Sequence, residues 1–164
     1  MSLRAPFRRR RDRFLVSLGA DDRSMLAQLA RQSRELIGSE DPSSDPAVAR
    51  LFPAAYRDDP LMSLEFEQAM GETPKNGKLE ALATLERTVE AKELSEDELL
   101  SWMGAVNDIR LVIGTRIDIT EESTEDDFSE DDPDREGFLV YGYLTWLEDA
   151  MLRALGEPPP REPA

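Results

Sequence analysis

Cysteine and histidine are both absent from the 164 residues. Without cysteine there is no disulfide, thiol switch or zinc–thiolate site. Without histidine the chain lacks the usual general base near neutral pH and the commonest metal ligand. No apolar run approaches the roughly 20 residues of a membrane span. The arginine-rich start lacks the apolar segment of a secretory signal. Carboxylates abound, but no Gly-rich phosphate loop or metal-ligand spacing accompanies them. The expectation is a non-enzymatic cytoplasmic protein that needs no cofactor and no metal and touches no membrane.

What is present is charge, unevenly spread. The net charge is −15. The first thirteen residues hold Arg4, Arg8, Arg9, Arg10, Arg11 and Arg13 against Asp12 alone, which leaves −20 for the rest. Such a body repels nucleic acid, whereas its start attracts polyanions. Arg8, Arg9, Arg10, Arg11 and Arg13 are therefore the candidate nucleic-acid or partner contacts. The competing reading is a solvated basic arm, or one masked by the chain's own acidic stretch.

The most patterned stretch is Ser95 to Thr120. Ser95-Glu96-Asp97-Glu98 is a capping box, with three acids at the positive end of the helix dipole. Leu99, Trp102, Met103, Val106, Ile109, Ile113 and Ile117 fall on one arc at helical spacing, and Leu100 and Leu111 form a second patch. A helix apolar on two sides belongs at the centre. Arg110 lies within the apolar arc and needs a carboxylate, Glu65, Glu67, Glu148 and Asp149 being the candidates.

Around this axis the pattern predicts a single mostly α domain over residues 1–155, a bundle of five to six helices. Helices are expected at 21–37, 46–52, 61–70, 78–91, 95–120 and 137–155. Phe14, Val16 and Leu18 alternate after Phe7 to Arg10, which predicts a small amino-terminal β-hairpin or a single strand after a basic arm. Residues 121–136 carry ten acids against Arg135 and read as a solvated, flexible linker. Asp132, Asp134 and Glu136 open like a calcium loop, but Tyr143 stands where the bidentate glutamate belongs. The last helix has apolar residues on nearly all sides, which suits a buried helix or half of a homodimer interface. Residues 156–164, rich in proline, read as a disordered tail.

Several of these pieces occur together elsewhere. Leu51 to Pro60, Trp102 to Ile117 and Tyr141 to Leu155, with Phe7 to Arg10 before them, resemble the actinobacterial "domain of unknown function 2017" family, also called the oxidative-stress transcription regulator family. The most specific part is Asn107-Asp108-Ile109-Arg110 followed by Gly114-Thr115-Arg116. The resemblance implies a cytoplasmic actinobacterial regulator of transcription that works with RNA polymerase or a sigma factor. Regulators of that setting are proposed to sense oxidation through a cysteine pair, which this chain does not have. Asn107, Asp108, Arg110, Thr115 and Arg116 are expected to form a polar network locking the central helix to its neighbours. The alternative to a regulator is an interaction or scaffold module with no role at DNA.

Overall fold

The computed structural model describes residues 4–39, 45–52 and 74–158. Among these residues the chain is mostly α, with five α-helices and a small antiparallel sheet. Strands β1 (Phe7–Arg10) and β2 (Arg13–Val16) form a hairpin. Helices α1 (Ala20–Ile37), α2 (Pro46–Ala49) and α3 (Pro74–Thr88) follow. A third strand, β3 (Glu93–Ser95), pairs with β2 and leads directly into α4 (Glu96–Arg116). A short 3-10 turn (Glu125–Asp127) precedes α5 (Arg135–Gly156). The helix expected at 61–70 lies outside the described residues, as do Glu65 and Glu67.

Helix α4 is the axis. The Ser95 hydroxyl accepts from Glu98 N–H at 3.1 Å and the Glu98 carboxylate accepts from Ser95 N–H at 2.8 Å, so the capping box is complete. A cap of this kind contributes about 1 kcal/mol. Its apolar arc is buried through Leu99, Trp102, Val106, Ile109 and Ile117. α4 packs against α3 on one side and α5 on the other, and also meets α1, α2 and the sheet. The second patch differs from expectation: Leu100 and Leu111 are 50% and 40% exposed, so that side of the axis is open to solvent.

The sheet is bolted to this helix. Phe7, Phe14, Val16 and Leu94 point inward and are buried. Phe7 meets Trp102 edge-on, with centroids 6.0 Å apart. The Trp102 indole N–H donates to the Thr88 hydroxyl at 2.7 Å, which satisfies the polar edge of a buried ring. β3 had no forecast, because a three-residue strand running into a capping box has no alternation long enough to see.

Arg23 is a second unforeseen structural residue. It is buried, and its guanidinium donates to the carbonyls of Val16, Leu18, Val89 and Ala91 at 2.6–3.2 Å. It ties the end of β2 to the end of α3, where the negative pole of that helix favours a cation.

Several boundaries moved: the helix expected at 46–52 ends at Ala49 and the one expected at 95–120 ends at Arg116. α3 starts four residues before the expected Lys78 and ends three before Ala91. The acidic stretch is not wholly solvated: Phe128 is buried and stacks on Phe138 at 4.7 Å. Arg135 donates to Phe128 O at 2.7 Å and pairs with Glu125 at 3.3 Å. One aromatic and one arginine inside an acidic run were enough to anchor it.

Candidate functional site

The family-like motif on α4 uses each of its polar side chains on a neighbour. Asp108 is buried and receives Lys78 Nζ of α3 on both oxygens, at 3.0 and 3.2 Å. Arg110 turns toward α5. Its guanidinium lies over the Tyr141 ring, 5.5 Å from the centroid, and donates to Tyr141 OH at 3.3 Å and Asn107 Oδ1 at 3.0 Å. Its Nε is 3.4 Å from Glu148 Oε2. Arg116 pairs with Asp45, the N-cap of α2, at 2.9 Å. Thr115 accepts from Arg50 at 3.4 Å and donates to Leu111 O. Asp108 thus meets α3, Arg110 meets α5, Thr115 and Arg116 meet α2 and its C-cap Arg50, and Asn107 braces Arg110 from within α4.

Glycine makes the α4–α5 seam close. A Cβ on Gly114 would come within 2.9 Å of the Tyr141 ring and 3.0 Å of Ile119. Next to this contact lies a shallow cleft of about 260 Å³ lined by Arg50, Leu111, Thr115 and Tyr141.

The electrostatics of the seam are unfavourable for its acids. Burial pushes the Asp108 carboxyl up from its ordinary value, against the lowering effect of Lys78. Burial also pushes Glu148 up; Arg110 opposes this and the Asp108 charge adds to it. The ion pair and the upward shift at Glu148 point in opposite directions. Burial prevails because Arg110 Nε and Glu148 Oε2 are close but make no aligned hydrogen bond. Tyr143 OH is likewise buried without a bonded partner, and burial, with the Asp22 charge nearby, raises it. Among the described residues no cluster of acids is arranged to hold a metal ion, and no helix is long and apolar enough to cross a membrane.

The arginine cluster is different. The register sets Arg8 opposite Leu15, Arg9 opposite Phe14 and Arg10 opposite Arg13. Arg9 faces inward, 5.5 Å over the Phe14 ring, and bonds Arg11 O and Glu157 O. Arg13 pairs with Glu93 of β3 at 3.5 Å. These two are committed to the fold. Arg8, Arg10 and Arg11 are exposed, and among the described residues their side chains enter no ion pair or hydrogen bond. Arg11 also has a positive φ of 59°, a backbone region that favours glycine. Arg10 opposite Arg13 is a like-charge pair, which costs stability across a ladder. The positive φ at Arg11 and the like-charge pair together make the turn a strained part of the fold.

The hairpin and the acidic stretch lie at opposite ends of α5. Arg9 reaches Glu157 beyond its last turn, whereas the 3-10 turn precedes its first residue. A 22-residue helix is about 33 Å long. That separation is roughly four screening lengths at physiological salt. The acidic stretch 121–136 does not mask the tip, where the nearby acids are Asp12 and Glu93.

α5 is apolar on more than its core face, so it is not the wholly buried helix that was one of the two expectations. Leu144, Leu147, Met151 and Ala154 are buried, but Leu139, Trp146 and Leu152 are 51–59% exposed. Leu139 and Trp146, seven residues apart, share a stripe off the core face, and that spacing was the available signal.

A profile of a family described as "Domain of unknown function (DUF2017)" matches residues 4–155. The chain belongs to the DUF2017 family. It is also similar to the oxidative stress regulator AosR of Mycobacterium tuberculosis and to that of Mycobacterium bovis. Each is 26% identical, over 87% of this chain and 82% of the relative. No solved structure matches. In this DUF2017 member the matched region runs from Arg4, before the hairpin, to Leu155, near the end of α5, and so contains both the seam and the basic tip.

Proposed function

We propose that this protein is a non-enzymatic regulator of transcription that acts by protein contact, through RNA polymerase or a sigma factor. The carrying observation is the hairpin tip: Arg8, Arg10 and Arg11 are held outward by a sheet anchored on Trp102, yet have no partner among the described residues. The similarity to an oxidative stress regulator supports the regulatory part of this reading. With no cysteine, the chain has no thiol through which to sense oxidation itself. Asn107, Asp108, Arg110, Thr115 and Arg116 serve as the structural lock in this reading, because each is engaged inside the fold.

DNA has a subordinate place. Three free arginines neutralise about three phosphates, for a salt slope of about −2.7, which is a weak non-specific contact. An interaction module with no role at DNA is the second reading, favoured by the half-exposed Trp146. Affinity capture of the tagged protein from an actinobacterial lysate tests the proposal. Recovery of RNA polymerase or a sigma factor is the expected result, and a capture that lacks both removes the transcriptional reading.

A further inference from the structure

A groove lies at the start of β1, at the other end of the strand from the tip arginines. Residues 4–7 lead from it into β1, which ends at the tip. The groove, about 400 Å³, lies between that segment and the second half of α5, against Pro6, Phe7, Trp146 and Ala150. The bond from Arg9 to Glu157 O fixes strand to helix end, so tip and groove keep one geometry. Arg153 and Asp149 at the groove pair with each other at 2.9 Å. The surface is therefore cationic at the tip, and at the groove it sets the apolar Phe7, Trp146 and Ala150 beside Arg4, Asp149, Arg153 and Glu157.

Trp and Arg are the residues that most often dominate binding energy at protein interfaces. Arg8 and Arg10 share the outer face of β1, about 6.6 Å apart, the spacing of alternate residues in an extended segment. A nucleic-acid duplex can use the arginines but has its bases stacked away from an indole in a groove. We infer that the hairpin tip and the Trp146 groove together dock one partner segment, an acidic run followed by a bulky apolar residue. Its carboxylates meet Arg8, Arg10 and Arg11, and its apolar side chain lies against Trp146. This rests on the reading that the protein acts by protein contact, and it names the surface and the partner's chemistry.

Trp102 is fully buried and Trp146 half-exposed, so acrylamide quenching reports chiefly on Trp146. The full chain is titrated with a fluorescein-labelled peptide, an aspartate run followed by Leu-Phe, and separately with a DNA duplex. The peptide should protect Trp146 from quenching. By anisotropy its affinity should fall at least about tenfold in R8E/R10E and in Trp146→Ser, with both variants melting like the parent. Two results overturn the inference: no peptide binding by the parent chain at low salt, or loss in R8E/R10E alone with equal binding of the duplex. Lysate capture separates the two levels. RNA polymerase or a sigma factor retained equally by both variants removes this surface and leaves the regulatory reading standing. Retention of neither by the parent chain removes both.

Discussion

The molecule uses arginine in two opposite ways. At the α4–α5 seam, Arg110 is three-quarters buried and surrounded by Tyr141, Asn107 and Glu148. At the hairpin tip, Arg8, Arg10 and Arg11 are exposed and unmatched among the described residues. The seam closes every obligation of its cation except one alignment, and closing it costs the neighbouring carboxylates their ordinary acidity. The tip leaves its cations open and adds backbone strain at Arg11. A side chain satisfied within the fold has little left to offer a partner, whereas an unsatisfied one on a rigid strand is already arranged for one.

The sharpest way to break this comparison is at Arg110. Arg110→Met removes the cation and leaves Glu148 half-buried without a counter-charge. The expected loss is about 2–3 kcal/mol, discounted from a fully buried pair because both side chains are about a quarter exposed. Chemical denaturation measures it, and partner binding of the folded fraction should be unchanged. Next is Gly114→Ala, where the new methyl must displace the Tyr141 ring and with it the face on which Arg110 rests. About 1–2 kcal/mol is expected by the same measurement.

Arg11→Gly should move the other way. It relieves a positive φ, and a gain of about 1 kcal/mol should raise the melting temperature while partner affinity falls. A gain in stability coupled to a loss of binding is the signature expected of a strained contact residue.

The acidity of the seam gives a pH test. The folded-state pKa of Glu148 is raised, so the native chain binds that proton more tightly than the unfolded chain. Stability from this group therefore falls as pH rises from the ordinary glutamate value through the raised one, and is level above it. Asp108 behaves alike. Glu148→Gln should flatten the fall in melting temperature between mildly acid and neutral pH, relative to the parent chain. The smallest effect is at Arg10→Thr, which removes a like-charge pair across the hairpin and should stabilise by a few tenths of a kcal/mol.

The axis was readable because its signals agree: a capping box, one long apolar arc and a single misplaced arginine all belong to α4. Glu148 was among four acids offered for Arg110, and it lies two turns after Tyr141 on the same side of α5. The seam's other partners were not readable. Lys78 reaches Asp108 from another helix, and Arg23 spends itself on four carbonyls, which leave no mark on a sequence. The arginine cluster was visible as a unit, but only the register divides it. Alternation turns Arg9 inward over Phe14, and β3 brings Glu93 to Arg13, leaving three of the five candidates free. The open stripe of α5 was hidden by composition, since an apolar helix reads alike whether its far side is covered or bare.

The central claim is that the tip serves contact and the seam serves the fold. It is tested most directly by measuring partner-peptide affinity for Arg8→Glu/Arg10→Glu together with its melting temperature. The expected result is binding lost and a transition within about 2 °C of the parent chain, as for substitutions at exposed, unpaired sites. Binding that survives with the transition intact, or a transition that falls by about 8 °C or more, would contradict it.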